Sequence, residues 1–291
     1  MLLRGPLVSP EALAANLGAA NLRVVDVRWV LGEPGEGRRA YEAGHLPVAI
    51  FLDLDADMRG PDGPGRHPLP RPADFARLLA SRGIGDATAV VAYDDVGGWV
   101  AARLWWMLDD LGHRHAAVLD GGYPAWVAAG LPTTTGEPHL PDEPASLALA
   151  AAWTKVTDRD DLRSRLGRVV LLDARAGPRY RGETDPIDPV AGHIPTALLA
   201  PTESNLGPDG RFLGAAALRA RFSDLGVADR RMEVVTSCGS GVSACHNALA
   251  LRLAGLPDPT LYEGSYSDWS RAGYPIAVGP APGEPPDDPA G

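Results

Sequence analysis

The 291-residue sequence holds two cysteines, no block of basic residues and no apolar run of membrane-spanning length, and each shortage removes a class of function. Cys238 and Cys245 lie seven apart with no second Cys or His pair at ligand spacing, so neither a disulfide framework nor a zinc site is encoded. No metal and no organic cofactor is expected. A bilayer span needs about 18 consecutive apolar residues, and the opening Met1-Leu2-Leu3-Arg4-Gly5-Pro6 is too short a stretch for a secretory signal. The expectation is a cytoplasmic chain that does not engage a membrane. The formal net charge of −10, with no Lys/Arg cluster interleaved with aromatics, argues against a nucleic-acid partner and for a small substrate.

What is present is a duplication. Leu22-Arg-Val-Val-Asp-Val-Arg28 returns as Val169-Val-Leu-Leu-Asp-Ala-Arg175, and Gly44-His-Leu-Pro47 as Gly192-His-Ile-Pro195. Val90-Val-Ala-Tyr-Asp94 returns as Val234-Val-Thr-Ser-Cys238, and Asp120-Gly-Gly-Tyr-Pro-Ala-Trp126 as Glu263-Gly-Ser-Tyr-Ser-Asp-Trp269. The four echoes keep their order at offsets of 147, 148, 144 and 143 residues, so the chain reads as two copies of one unit.

With 45% hydrophobic and 22% charged residues the chain can build two ordinary cores. Within each copy, short Val/Leu-rich runs alternate with amphipathic stretches, the pattern of an α/β fold whose parallel sheet is covered by helices on both faces. Strands are predicted over 24–27, 89–92, 169–172 and 233–236, and helices over 10–17, 73–82, 98–111, 215–224 and 242–253. Residues 1–132 form the first predicted domain and 151–278 the second. Between them, 133–150 is polar and proline-bearing, as a linker is. The tail 279–291 lacks core-forming residues and is expected to be disordered or merely draped.

The loop Cys238-Gly-Ser-Gly-Val-Ser243 falls between a buried strand and a helix, where parallel sheets place their ligands. Gly239 and Gly241 let the backbone curl so that several N–H groups point inward and favour a thiolate over a thiol. The plain alternative is a small buried hydrophobe. Asp94 at the matching place in the first copy speaks against it, since Ala or Val would replace a structural cysteine more naturally. Cys245, on the helix facing back to the sheet, reads as core, as do Trp105, Trp106, Trp126 and Trp269. His45 and His193 occur in both copies and so read as turn braces.

The tandem repeat, the paired Gly-His-aliphatic-Pro motifs and the 238–243 loop resemble the rhodanese family, in its tandem thiosulfate/3-mercaptopyruvate sulfurtransferase form, over about residues 7–278. The resemblance implies two tandem rhodanese-like domains, a catalytic second copy, and a first copy that has lost its cysteine at Asp94. It implies a Cys238 persulfide made from a small anionic sulfur donor, thiosulfate or 3-mercaptopyruvate, and drained by cyanide or by a small or protein thiol of the thioredoxin type. Ser240 matches the serine that assists proton handling, and Ser243 stands where threonine is usual. Gly239, Gly241 and Val242 line the donor, and Arg179 falls on the arginine that takes the donor's carboxylate. The segment Phe51-Leu-Asp-Leu-Asp55 followed by His67 resembles the first domain's wall of the cleft, which implies Asp55 and His67 as partners behind the loop. A second arginine often lies nine residues beyond the first in mercaptopyruvate enzymes; here Asp188 stands there, one anchoring charge fewer and one repelling charge more.

Two rival chemistries use similar parts. A cysteine phosphatase needs Cys-x5-Arg, and the sixth residue after Cys238 is Ala244, which cannot clamp a phosphate. A non-catalytic persulfide or redox sensor would pair Cys238 with Cys245, but seven residues along a helix separate them by about 10 Å, beyond disulfide reach unless the loop bends back. Thiol titration before and after a mild oxidant separates the sensor from the enzyme.

Overall fold

The computed structural model describes residues 3, 5–140, 142–227 and 232–286. Its described residues divide into two compact units: one drawn from Met1–Gly60, Leu69–Thr154 and Leu206–Phe212, the other from Pro61–Pro68, Lys155–Asn205 and Leu213–Gly291. Two short segments therefore belong to a different unit from their chain neighbours.

In the first unit the elements run β1 (Leu7–Val8), α1 (Pro10–Ala14), β2 (Leu22–Asp26), α2 (Glu36–Ala43), β3 (Ala49–Phe51), α3 (Pro72–Ser81), β4 (Ala89–Tyr93), α4 (Trp99–Asp110), β5 (Ala116–Leu119) and α5 (Gly122–Ala128). The strands form a parallel sheet in the order β1-β5-β4-β2-β3. β4 is buried at every position, which is why it reads as a continuous apolar run and not as an alternation. The helix predicted to reach Leu17 stops at Ala14, and the Asn16 side-chain amide donates to the Ala12 carbonyl at 2.8 Å, a local bond of the kind that competes with helix propagation. The polar stretch after Thr133 runs along this unit: the Ala145 amide donates to the Ala80 carbonyl at 3.0 Å, and Ala150 to Leu111 at 2.9 Å.

The second unit repeats the plan with β6 (Val156–Thr157), α6 (Arg159–Arg165), β7 (Val170–Asp173), α7 (Gly177–Tyr180), β8 (Leu198–Leu199), a 3-10 turn (Thr202–Asn205), α8 (Ala215–Asp224), β9 (Val234–Ser237), α9 (Ala244–Leu253), β10 (Thr260–Tyr262) and α10 (Ser265–Arg271). Its parallel sheet has the matching order β6-β10-β9-β7-β8. Residues 279–286 run along this unit, with the Pro282 carbonyl accepting from Thr196 and the Gly279 amide donating to Arg181 at 2.9 Å. The rest of the predicted tail, 287–291, lies outside the described residues.

The repeat extends to side chains. Arg28 holds Asp26 and the Gly44 carbonyl and lies 4.3 Å over the Tyr123 ring; Arg175 holds Asp173 and the Gly192 carbonyl and lies 3.8 Å over Tyr266. His45 stacks on Tyr41 and His193 on Tyr180, each at 3.8 Å, with Nδ1 at the same tyrosine's carbonyl. Both histidines brace the turn after a helix. Trp105, Trp106, Trp126 and Trp269 are buried, as is Cys245, whose thiol donates to the Gly241 carbonyl at 3.4 Å.

Candidate active site

Cys238 is the first residue after β9, and α9 begins six residues later. The turn between them requires glycine at one place: Gly241 has φ +79°, and a Cβ there would stand 2.4 Å from the Glu263 carbonyl oxygen. This conformation turns the amides of Ser240 and Gly241 toward the Cys238 sulfur, at 3.4 and 3.1 Å. The start of α10 clamps the loop from the other side. The Cys238 carbonyl accepts from the Tyr266 amide and the Gly239 carbonyl from the Ser267 amide, both at 2.9 Å. The Cys238 amide donates to Ser265 Oγ at 3.0 Å, and that hydroxyl donates onward to the Tyr262 carbonyl at 2.8 Å. The cysteine side chain is only 1% exposed, yet the groups facing its sulfur include two N–H dipoles. Such an environment can hold negative charge on sulfur.

The other sequence-predicted residues divide. Ser240 Oγ and His67 Nδ1 stand 2.8 Å apart, both buried, so the second unit brings these two candidates together. Gly239 and Val242 are buried in the loop. Of the several loop amides expected to point inward, those of Ser240 and Gly241 face the sulfur. Ser243 caps α9 without a side-chain capping bond, and among the described residues its hydroxyl has no hydrogen-bond partner. Asp55 lies in the first unit, where it accepts the Trp29 indole N–H at 2.7 Å and pairs with Arg59.

Arg179 projects from α7 and is joined by a guanidinium the sequence reading did not include. Arg66, in the segment Pro61–Pro68, pairs with one oxygen of Asp188, while the other oxygen of Asp188 accepts from Arg179 Nη2 at 2.8 Å. Asp188 is thus a bridge between two cations and not an uncompensated repelling charge; its place nine residues after Arg179 could not reveal which groups it faces. Behind it, Asp185 accepts from Arg179 and from the amides of Ile187 and Asp188. Burial alone would push the Asp185 carboxyl up, but the Asp188 amide and the Arg179 guanidinium outweigh it and hold the group below the ordinary carboxylate range.

Ser265 was also missed, although its signal was in the repeat. Its φ is +50°, and its counterpart in the first copy is Gly122 at +57°. A glycine in one copy and a serine in the other marks a left-handed position that one copy holds under strain. Among the described residues no group of three or more His, Cys, Asp or Glu side chains is placed to hold a metal ion, and no helix is long and apolar enough to cross a membrane.

Two parallel α/β units, each with a strand-loop-helix turn at the end of a central strand and one of them carrying a cysteine there, define the class. The family of rhodanese-like domains matches residues 9–129 and 158–272. A Pseudomonas aeruginosa protein described as "Probable 3-mercaptopyruvate sulfurtransferase" is 46% identical over 280 residues, covering 94% of this chain and 98% of that one. The mouse thiosulfate sulfurtransferase is 36% identical over 281 residues, covering 92% and 93%. The solved structure of the 3-mercaptopyruvate sulfurtransferase from Leishmania major superposes with a TM-score of 0.81 at 33% identity, covering 92% of this chain and 75% of that one. The chain belongs to the rhodanese family, and it is a sulfurtransferase with two rhodanese-like domains.

Proposed function

We propose that the chain moves a sulfur atom from thiosulfate or 3-mercaptopyruvate to cyanide or a thiol acceptor through a persulfide on Cys238. The observation that carries this reading is the pair of amides, Ser240 and Gly241, directed at the Cys238 sulfur. They stabilise the attacking thiolate, and they can serve the outer sulfur of the persulfide as donors serve developing charge in an oxyanion hole.

With thiosulfate, the thiolate attacks the outer sulfur, the S–S bond breaks and sulfite leaves with the electron pair. With 3-mercaptopyruvate, it attacks the mercapto sulfur, and the C–S pair passes to the enolate of pyruvate, which takes up a proton. The Ser240–His67 contact is the proton route the loop offers. Arg179 would receive the donor's anionic group, since a guanidinium presents parallel donors to a carboxylate. Cyanide, a small thiol or a thioredoxin-type protein thiol then attacks the outer sulfur and returns Cys238 to the thiolate. A reducing, cytoplasmic setting suits two cysteines that are both free.

The test is mass spectrometry with turnover. Donor treatment should add the mass of one sulfur atom to the parent and nothing to Cys238→Ser, whose cyanide-dependent turnover should fall by about a thousandfold or more. An unchanged parent mass together with a fully active Cys238→Ser would overturn the reading.

A further inference from the structure

We propose that Cys245 is a positioning residue for the nucleophile: its buried thiol holds the Gly241 carbonyl and so keeps the Gly241 amide on the Cys238 sulfur. This deepens the reading that Cys238 is the residue that takes the sulfur.

For the amides of the 238–243 loop to turn inward, its carbonyls have to be held outward. The start of α10 takes the carbonyls of Cys238 and Gly239. The start of α9 takes the next ones. The Cys245 amide donates to the Val242 carbonyl and the His246 amide to the Ser243 carbonyl, both at 3.1 Å, while the Cys245 thiol donates to the Gly241 carbonyl at 3.4 Å. In this set the thiol is the side-chain donor. The residue it grips is the one whose amide lies closer to the nucleophile, at 3.1 Å against 3.4 Å for Ser240. Gly241 is also the softest point of the loop: without a Cβ its torsions have little preference of their own, so outside contacts must set them. A side-chain bond to the carbonyl four residues back is one that Ser and Thr make inside helices; here it reaches out of the helix into the loop.

The other copy shows what the thiol replaces. At the 144-residue offset that pairs Cys238 with Asp94, Cys245 pairs with Ala101. There the Asp94 carboxylate orders its own loop through amide bonds of 2.8 to 3.0 Å, the Ala101 amide among them. A sulfur accepts from amides more weakly and at longer range, so it orders its loop less firmly. The Cys245 amide, with no carboxylate to meet, goes to Val242, and the thiol goes to Gly241. The helix thus supplies from outside what the carboxylate supplies from within. Alanine at 101 also shows that the equivalent place in the fold accepts a smaller side chain.

Cys245 and Gly241 are both buried, so water does not compete for either end of the bond. Arg66 and Arg179, which stand beside Gly239, and His67, which meets Ser240, bring charge or a titrating group to the loop, and a change at 245 leaves all three in place. What residue 245 does to the Cys238 thiolate therefore passes through the Gly241 peptide.

The experiment follows the rate at which iodoacetamide alkylates Cys238 from acid to alkaline pH in the parent, Cys245→Ala and Cys245→Ser, with urea unfolding of each protein alongside. In both variants Cys238 is the sole cysteine, and in the parent the label is located by peptide mass. Only the thiolate reacts, so the pH profile reports how well the loop holds the charge. Cys245→Ala should move the midpoint up by about half a pH unit, a loss of about threefold in rate below the midpoint and none well above it. Cys245→Ser, which keeps a donor to the Gly241 carbonyl, should restore most of that loss. A packing defect would instead lower the rate by one factor at every pH, and serine, smaller than cysteine, would not repair it. Three coincident profiles, or a serine variant shifted as far as the alanine variant, in proteins that still take sulfur onto Cys238, would overturn this inference alone. A parent that takes no sulfur from either donor, while the alkylation profile still moves with residue 245 as expected, would leave the anchor standing and remove the persulfide.

Discussion

The two copies solve the same turn in opposite ways. After β4, the Asp94 carboxylate fills its own loop: Oδ1 accepts from the amides of Val96 and Gly98 at 3.0 and 2.8 Å, and Oδ2 from those of Val100 and Ala101, both at 2.9 Å. After β9, the cysteine sulfur receives two amides, and no carboxylate occupies the loop. One nest is closed by a carboxylate, whereas the other holds a sulfur, the atom on which the proposed persulfide would form. On that proposal the same backbone design serves stability in one copy and chemistry in the other.

The comparison breaks first at Asp94. Burial pushes its carboxyl up, against the pull of four amides. Removing it leaves those N–H groups without an acceptor in a buried site. Asp94→Ala should cost about 3 kcal/mol of stability in urea unfolding, while Cys238→Ala should cost about 1 kcal/mol or less. Equal costs would mean that the first loop is not held by its carboxylate.

A smaller asymmetry lies one residue earlier. The Tyr93 hydroxyl donates to Asp26 Oδ2 at 2.6 Å and accepts from the Leu46 amide at 3.1 Å. Its counterpart, Ser237, reaches the Leu172 carbonyl at 3.4 Å, a long bond. Tyr93→Phe should therefore cost about 1.5 kcal/mol and Ser237→Ala no more than about 0.5 kcal/mol, read as urea midpoints at unchanged slope. A reversal would show that the buried Asp26–Arg28 pair does not depend on the tyrosine.

How much of this was legible depends on whether the cause lies close in sequence. The strands β2, β4, β7 and β9 declared themselves because buried parallel strands are written as runs of Val and Leu. The two-residue strands β1, β6 and β8 carry no periodicity, and neither they nor the short strands β3, β5 and β10 are among the predicted ones. Cys238 stood out through its glycines and through Asp94. Arg66 did not, because its meaning depends on a contact with Asp188, 122 residues away, made by a segment without regular structure. His67 meets Ser240 across 173 residues, and only family resemblance suggested it. Asp188 was read by the sign of its charge, which says nothing about what it faces. Ser265 is legible in the repeat, since it aligns with Gly122 and a position that one copy fills with glycine points to a left-handed backbone in both.

That alignment supports the finest test of the comparison. Ser265 holds a left-handed conformation that Gly122 takes without cost, and in exchange its hydroxyl receives the Cys238 amide and bonds the Tyr262 carbonyl. Ser265→Ala keeps the strain and loses both bonds, so it should cost about 1–2 kcal/mol. Ser265→Gly loses the same bonds but relaxes the backbone, so it should cost about 1 kcal/mol less than the alanine variant. At Gly122 the sign reverses. A Cβ there would stand 2.2 Å from the Asp94 carbonyl oxygen, so Gly122→Ser should destabilise the first unit even though it restores the residue of the other copy. If Gly122→Ser is tolerated and the alanine and glycine variants at 265 are equally stable, the serine is not strained, and its hydroxyl, not its backbone, is the whole of what distinguishes the two turns.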